Sequence, residues 1–443
     1  MDKKSILKLE ELGKTVMPIV GFWGPPDEAI WNGNVYPSLK TDEVFARIKE
    51  SGINLFLQDN DPYDKKKDSV EKTLELCEKY NLFYYVSTAH ALRNFRAYHN
   101  QDGASEIPTA ERIAKEIQTY ITHSACAGLF VVDEPSKQSL SDIGCFIENY
   151  KTALNILGIK DKGYYVNLLP VCSFIGAPTI ECWEQYLERA VLDAKLEYLS
   201  YDFYVFQTPG ISKDNVSAGL YSHMEAAKEI SDKYGNIPYG VCVPTGGYWK
   251  EEADNVGTRR PEPEEIEWIV NTHLAFGCKM ITYFTLCNPI SFFKYLPHGA
   301  TGILSPDGEK STLFDAVKNA NEQVAAVDEY LLKSINKHVL AIGDIPSKFE
   351  YLYGKHIKTK DSSYQELVFV EGDGVLIGCF DYEGCSAFYV VNTFKKEQKI
   401  KLVFNGLKVM KLVDALQGER IVEQSELELL LEKGKATLVI INE

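Results

Sequence analysis

The chain has 443 residues, 45% hydrophobic and 25% charged, with a formal net charge of −16. These values describe a globular protein with a large core in two or three domains, and the negative charge argues against binding to nucleic acid or to an anionic membrane. No apolar run is long enough to cross a bilayer, and the polar start MDKKSILKLEELGKTV lacks the apolar centre of a secretion signal. Ten cysteines are scattered without a C-x-x-C pair, several within apolar strands such as those around Cys242 and Cys379. They read as reduced core residues of a cytoplasmic protein, and neither a metal site nor a cofactor is expected.

In chain order, apolar runs that read as buried strands alternate with helical patterns. Val16–Gly24 is the first strand, with Trp23 at its end. Thr41–Glu50 is helical, with Gly52 as a stop. Ile53–Leu57 is the second strand and runs out in Gln58, Asp59, Asn60 and Asp61. A helix over Asp68–Tyr80 leads to a third strand, Leu82–Val86, followed by His90. Thr109–Ser124 is helical. The fourth strand, GLFVVDEPS over Gly128–Ser136, ends in Asp133, Glu134 and Pro135; the proline stops the strand by removing a ladder donor. Helix Ser139–Leu157 precedes strand Gly163–Leu168, which carries Asn167. Helix Ile180–Ala194 precedes strand Glu197–Tyr201, which ends in Asp202, Phe203 and Tyr204. Helix Val216–Tyr234 precedes strand Pro238–Val243, which ends at Thr245. Helix Pro263–Phe276 precedes strand Lys279–Thr285, which carries Tyr283 and is followed by Asn288. A last helix covers Leu313–Leu332.

Eight strand–helix units at a spacing of about 35 residues fit a (β/α)8 TIM barrel over residues 1–336. A doubly wound sheet would need a glycine-rich phosphate turn after the first strand, where GFWGPP stands instead. Beyond Lys337 the pattern changes to short alternating runs separated by turn residues: Glu366–Val370, Gly374–Phe380, Ser386–Asn392, Gln398–Phe404, Lys408–Leu412 and Ala436–Ile441. Residues 337–443 therefore read as an all-β sandwich.

In a parallel barrel the carboxyl ends of the strands form the mouth where chemistry is done. Those ends offer Trp23, Asp59, Asn60, His90, Asp133, Glu134, Asn167, Asp202, Tyr204, Thr245, Tyr283 and Asn288. Carboxylates, amides and aromatic faces suit a neutral carbohydrate. The lack of lysine and arginine disfavours phosphate or carboxylate substrates, and no lysine is placed for a Schiff base. His90 alone supplies no metal site. The acids of QDNDPYD lack the central glycine and closing glutamate of a calcium loop. Glycoside hydrolysis needs a carboxylic acid to protonate the leaving oxygen and a second group to act on the sugar. Glu134 is the candidate acid, its pKa raised by burial and by Asp133.

VVDEP resembles the Asn-Glu-Pro motif that clan A barrel glycoside hydrolases carry after the fourth strand, with Asp133 in place of the asparagine. SYDFYVF resembles the Asp-x-Tyr-Pro segment after the sixth strand in relatives of the family 42 β-galactosidases. RRPEPEEIEWIVNTHLAFGCKMITYFT resembles their approach to the eighth strand. The resemblance implies a glycosidase with Glu134 as acid/base, but it also implies a nucleophilic glutamate after the seventh strand. There the sequence reads VCVPTGGYW, with no acid before Glu251 and Glu252. Two readings remain open. The Asp133–Glu134 pair is similar to that of substrate-assisted N-acetylhexosaminidases. Alternatively Asp202 is a general base, since strand ends two apart lie about 9–10 Å from each other, within side-chain reach of the ~6.5–9.5 Å of inverting enzymes. A non-catalytic carbohydrate-binding barrel and a lyase or isomerase using His90 as base are the alternatives outside hydrolysis. A homo-oligomer is compatible with all of them.

Overall fold

The computed structural model describes residues 9–11, 14–31, 33–57, 67–87, 107–171, 177, 179–208, 219–249, 257–288, 302–345, 357–358, 363–393 and 396–442. Eight parallel strands form the barrel: β1 Ile19–Phe22, β2 Leu55–Leu57, β3 Phe83–Ser87, β4 Cys126–Asp133, β5 Gly163–Asn167, β6 Leu199–Asp202, β7 Tyr239–Pro244 and β8 Met280–Phe284. They pair in sequence order, with β8 beside β1. Closure falls between β5 and β6, where Leu168 N donates to Ser200 O at 2.8 Å and Asp202 N to Leu168 O at 3.0 Å. The strands are apolar on both faces because one face fills the barrel and the other meets the helices.

The helices α1 Asp42–Glu50, α2 Lys67–Tyr80, α3 Ala110–Ile117, α4 Leu140–Ile156, α5 Ile180–Leu192, α6 Gly219–Lys233, α7 Pro263–Ala275 and α8 Phe314–Lys333 return the chain between strands. Their starts are written locally. Thr41, Thr109 and Thr179 each accept a backbone N–H of the first turn, and α7 opens with Pro263 and a capping box of Glu262 and Glu265. The helix expected over Thr109–Ser124 is shorter. After Ile117 the chain tightens into i→i−3 bonds, Tyr120 N to Ile117 O and His123 N to Tyr120 O, where the β-branched Thr119, Ile121 and Thr122 favour helix least. Gly128, at φ +135°, admits no side chain, because a Cβ there would lie 1.9 Å from the carbonyl oxygen of Gly163. It lets β4 press against β5 just before a register shift between Phe130 and Val132.

The C-terminal sheet begins at Ser334, directly after α8. Its strands are β9 Ser334–Ile342, β10 Leu367–Glu371, β11 Val375–Tyr382, β12 Cys385–Asn392, β13 Gln398–Asp414, β14 Gly418–Leu431 and β15 Ala436–Asn442, with Ile357–Lys358 added parallel to β9. The segments 398–404 and 408–412, expected as two strands, are one. The Asn405–Gly406 turn signal makes a bulge, with the register slipping between Val403 and Lys408. Strand β14 was not expected from its charged sequence. Both halves of β13 pair with β14, but its first half meets β10 on the other side and its second half meets β15. The bent pair thus folds the sheet over a second core that includes Leu340, Ile377, Phe388, Leu402, Met410, Leu427 and Val439, the expected sandwich.

The outer face of the sandwich, including Leu376, Phe380, Tyr389 and Leu438, joins the barrel core. Tyr389 OH donates to Asn271 Oδ1 at 2.6 Å on α7, and Asn336 Nδ2 to Ala275 O at 2.9 Å. Gly378 approaches α7 so closely that a Cβ would stand 2.1 Å from Ala275 O.

Candidate active site

Strand alternation aims the inward side chains of β5, β6, β7 and β8 at one another. The last inward residues of β5 and β6 are Asn167 and Asp202, both almost fully buried at 0% and 4% exposure. The side-chain Nδ2 of Asn167 donates to Asp133 Oδ1 at 3.0 Å and to Asp202 Oδ1 at 2.8 Å. Asn167 is on the strand between the two acids, so one amide reaches a carboxylate on each side. Burial pushes the Asp202 carboxyl above the usual carboxylate range; hydrogen bonds from Asn167, the Cys242 thiol, the Glu134 carboxyl and Tyr204 pull the other way.

Glu134 and Asp202 are thus hydrogen-bonded carboxyl groups, which requires one proton between them. Contact between them was not expected; strand spacing alone implied a wide gap. Two features close it. Asn167 draws Asp202 inward, and Glu134, the residue after β4, has a left-handed backbone with φ +51°. Its N–H donates to Asn167 O at 2.9 Å, which fixes that turn. Trp23, the residue after β1, is also left-handed at φ +59°, held where Cys287 N donates to its carbonyl at 3.0 Å. Non-glycine residues in this region cost of order 1–3 kcal/mol each and cluster at functional sites.

Beside the carboxyls stands an aromatic wall. The Trp23 and Phe284 rings are 4.8 Å apart between centroids, and Tyr204 and Phe284 are 5.3 Å apart. Trp23, Tyr204, Phe284, Asp133 and Glu134 are all half-buried, and Tyr204 joins the wall to the acids through its hydrogen bond to Asp202. Phe284 was missed in the sequence, although strict alternation along β8 would have found it: Thr282 and Phe284 point inward and Tyr283 outward. The Tyr283 hydroxyl donates to Asn321 Oδ1 at 2.7 Å on α8, so the structure does not bring Tyr283 to this group. Thr245 is wholly buried and ties β7 to β8, its hydroxyl donating to Thr285 O at 2.8 Å. Asn288 accepts from the Thr285 hydroxyl at 2.9 Å, and its buried Nδ2 has no hydrogen-bond partner. Asp59, Asn60, His90, Glu251 and Glu252 lie outside the described residues.

The histidine that the structure does place near these loops is His223. Its Nε2 accepts from Val171 N at 3.1 Å and its Nδ1 faces Gly219 O at 2.6 Å. That fixes the neutral tautomer and pins the segment after β5 to α6. Burial lowers its pKa to about 4. Among the described residues no group of histidine, cysteine, aspartate and glutamate could hold a metal ion, and no helix is long and apolar enough to cross a membrane.

The fold and site together define a (β/α)8 barrel with a carboxyl pair and an aromatic wall at the carboxyl ends of its strands. No protein-family model and no curated protein matches the chain. Among solved structures, it is similar to a β-galactosidase from the Antarctic haloarchaeon Halorubrum lacusprofundi at 12% identity and a TM-score of 0.46, over 74% of this chain. The match spans 60% of the haloarchaeal protein. It is also similar to a protein described as a glycoside hydrolase, at 10% identity and a TM-score of 0.48, over 100% of this chain and 95% of the other. A glycoside hydrolase family 5 protein from Bacteroides vulgatus gives 11% identity and a TM-score of 0.48, over 98% and 91% of the two chains.

Proposed function

We propose that the chain is a glycoside hydrolase acting on a neutral oligosaccharide, with Glu134 as the proton donor and Asp202 as the second carboxylate. The observation that carries this reading is the hydrogen-bonded Glu134–Asp202 pair beside the Trp23–Phe284–Tyr204 wall. A carboxyl pair that shares a proton supplies an acid and a base together. The aromatic faces stack on the apolar face of a sugar while the acids meet its polar edge. Glu134 gives its proton to the glycosidic oxygen as the bond to the anomeric carbon breaks. Asp202, left charged, takes a proton from the water that adds to that carbon. Hydrolysis needs the two carboxyls ~5–5.5 Å apart for retention or ~6.5–9.5 Å apart for inversion, so a sugar entering between them parts the hydrogen-bonded pair. The resemblance of VVDEP to the clan A motif and of SYDFYVF to the family 42 relatives agrees with acids at the ends of β4 and β6. The position after β7, Pro244–Thr245, carries no acid.

A second reading is favoured by the Asp133–Asn167 bond, which holds Asp133 beside Glu134. In it Asp133 orients a 2-acetamido group that attacks in place of water. Aryl glycosides test both readings. Hydrolysis of plain hexosides, lost in Glu134→Gln, supports the first; turnover confined to acetamido sugars supports the second. Sugar binding without turnover of any aryl glycoside would leave a binding barrel. Proton NMR of the first-formed anomer then assigns the water-adding role: inversion is expected if Asp202 is the base, and retention overturns that assignment.

A further inference from the structure

Beneath the acids the barrel is filled by polar side chains that the proposed reaction does not use. Tyr165 on β5, Ser200 on β6 and Thr282 on β8 are each 0% exposed. The Tyr165 hydroxyl lies 2.7 Å from Ser200 Oγ and 3.2 Å from Thr282 Oγ1, and Ser200 Oγ lies 3.2 Å from Asn167 Oδ1. Taken singly, the hydroxyl contacts have no direction. The chemistry at the top of the chain supplies one.

Carboxylate oxygens only accept. Both hydrogens of Asn167 Nδ2 are therefore spent, one on Asp133 and one on Asp202, and the amide is held with its oxygen downward. That oxygen accepts from the Ser200 hydroxyl at 3.2 Å and, more weakly, from the Cys242 thiol at 3.9 Å. Ser200 gives its single hydrogen to it, and so accepts from Tyr165. Tyr165 has then spent its own hydrogen and accepts from Thr282. The order is Thr282 to Tyr165 to Ser200 to Asn167 to the two acids.

We propose that Ser200, Tyr165 and Thr282 are positioning residues that lock the Asn167 amide, and through it hold the Asp133 and Asp202 carboxylates in place. The proposal rests on the carboxylate site argued above, but not on its substrate. Without the Ser200 hydroxyl the amide oxygen keeps only the weak bond from the Cys242 thiol, and the amide is freer to turn that oxygen toward the acids. Each bond in a buried chain also polarises the next. Removing a link should therefore weaken the hydrogen bonds on the carboxylates and raise the pKa of Asp202, which the Asn167 bond lowers.

The test is carboxyl 13C NMR titration of the substrate-free protein, wild type against Ser200→Ala, Tyr165→Phe and Thr282→Val. Loss of a hydrogen bond on a charged group predicts an upward shift of the Asp202 titration by roughly one unit in Ser200→Ala. Tyr165→Phe should give a smaller shift and Thr282→Val a smaller one still, because each is one link further from the amide. Restoring a hydroxyl in Ser200→Thr should recover the wild-type titration. If Ser200→Ala does not fold, the ordered shifts of the two milder variants decide. Titrations unchanged in folded variants would overturn the relay. If the protein cleaved no glycoside but the shifts appeared in the stated order, the relay would stand and the hydrolase reading alone would fall.

Discussion

Glu134→Gln removes the proton donor while leaving the shape of the side chain. The local structure predicts that the fold tolerates it. The left-handed backbone of Glu134 accepts an amide side chain as readily as an acid, and its N–H bond to Asn167 O is untouched. The new amide N–H donates to Asp202, where the shared proton was, so the lost stability should stay below about 1 kcal/mol. Catalysis should suffer far more, because general acid catalysis is worth about 10²–10⁴-fold, or about 3–5 kcal/mol of barrier. The assay compares kcat/KM for aryl glycosides whose phenols range from strongly to weakly acidic. The full loss is expected for poor leaving groups, and little loss for phenols that depart without a proton. Equal losses across the series would refute the acid role, since they would point to a lost binding contact.

Asp202→Asn should slow turnover sharply yet stabilise the folded chain at neutral pH. Burial raises this carboxyl in the native state, so between the ordinary carboxylate range and the native pKa the folded form holds more protons than the unfolded form, and stability falls as pH rises through that window. A neutral isostere removes that fall; denaturant midpoints at pH 5 and pH 8 that drop as steeply in the variant as in wild type would contradict it. His223 works with the opposite sign: its pKa of about 4 against 6.5 unfolded means that stability is lost as pH falls from about 6.5 toward 4, by about 2 kcal/mol between pH 7 and pH 5. His223→Gln should flatten that slope in the same denaturation series, and an unchanged slope would remove His223 as its source. Gly378→Val should loosen the sandwich from α7 at a cost of about 3 kcal/mol or more, since the close approach to Ala275 O leaves no room for a side chain. Limited proteolysis would then release a C-terminal fragment that wild type does not yield.

The alternation of buried runs and helices was enough to read the barrel, because a strand covered on both faces must be apolar throughout and the starts of α1, α3, α5 and α7 are marked by a threonine or a proline. VVDEP located Glu134, because a proline after two acids ends a strand wherever it stands. The length of β13 and the existence of β14 were not legible. A long edge strand studded with glutamate is stabilised by its partner, and the Asn405–Gly406 signal for a turn serves equally for a bulge. At the site, local sequence placed Asp133, Glu134, Asn167 and Asp202 at strand ends but said nothing of their contacts. That Asn167 binds two acids, that Glu134 meets Asp202, and that Phe284 rather than Tyr283 joins the aromatic wall depend on barrel closure and register. These set side chains from β4, β5, β6 and β8 in one layer although they are far apart in the chain. Residue type and order determined which groups reach the mouth; only the closed barrel decided which of them touch.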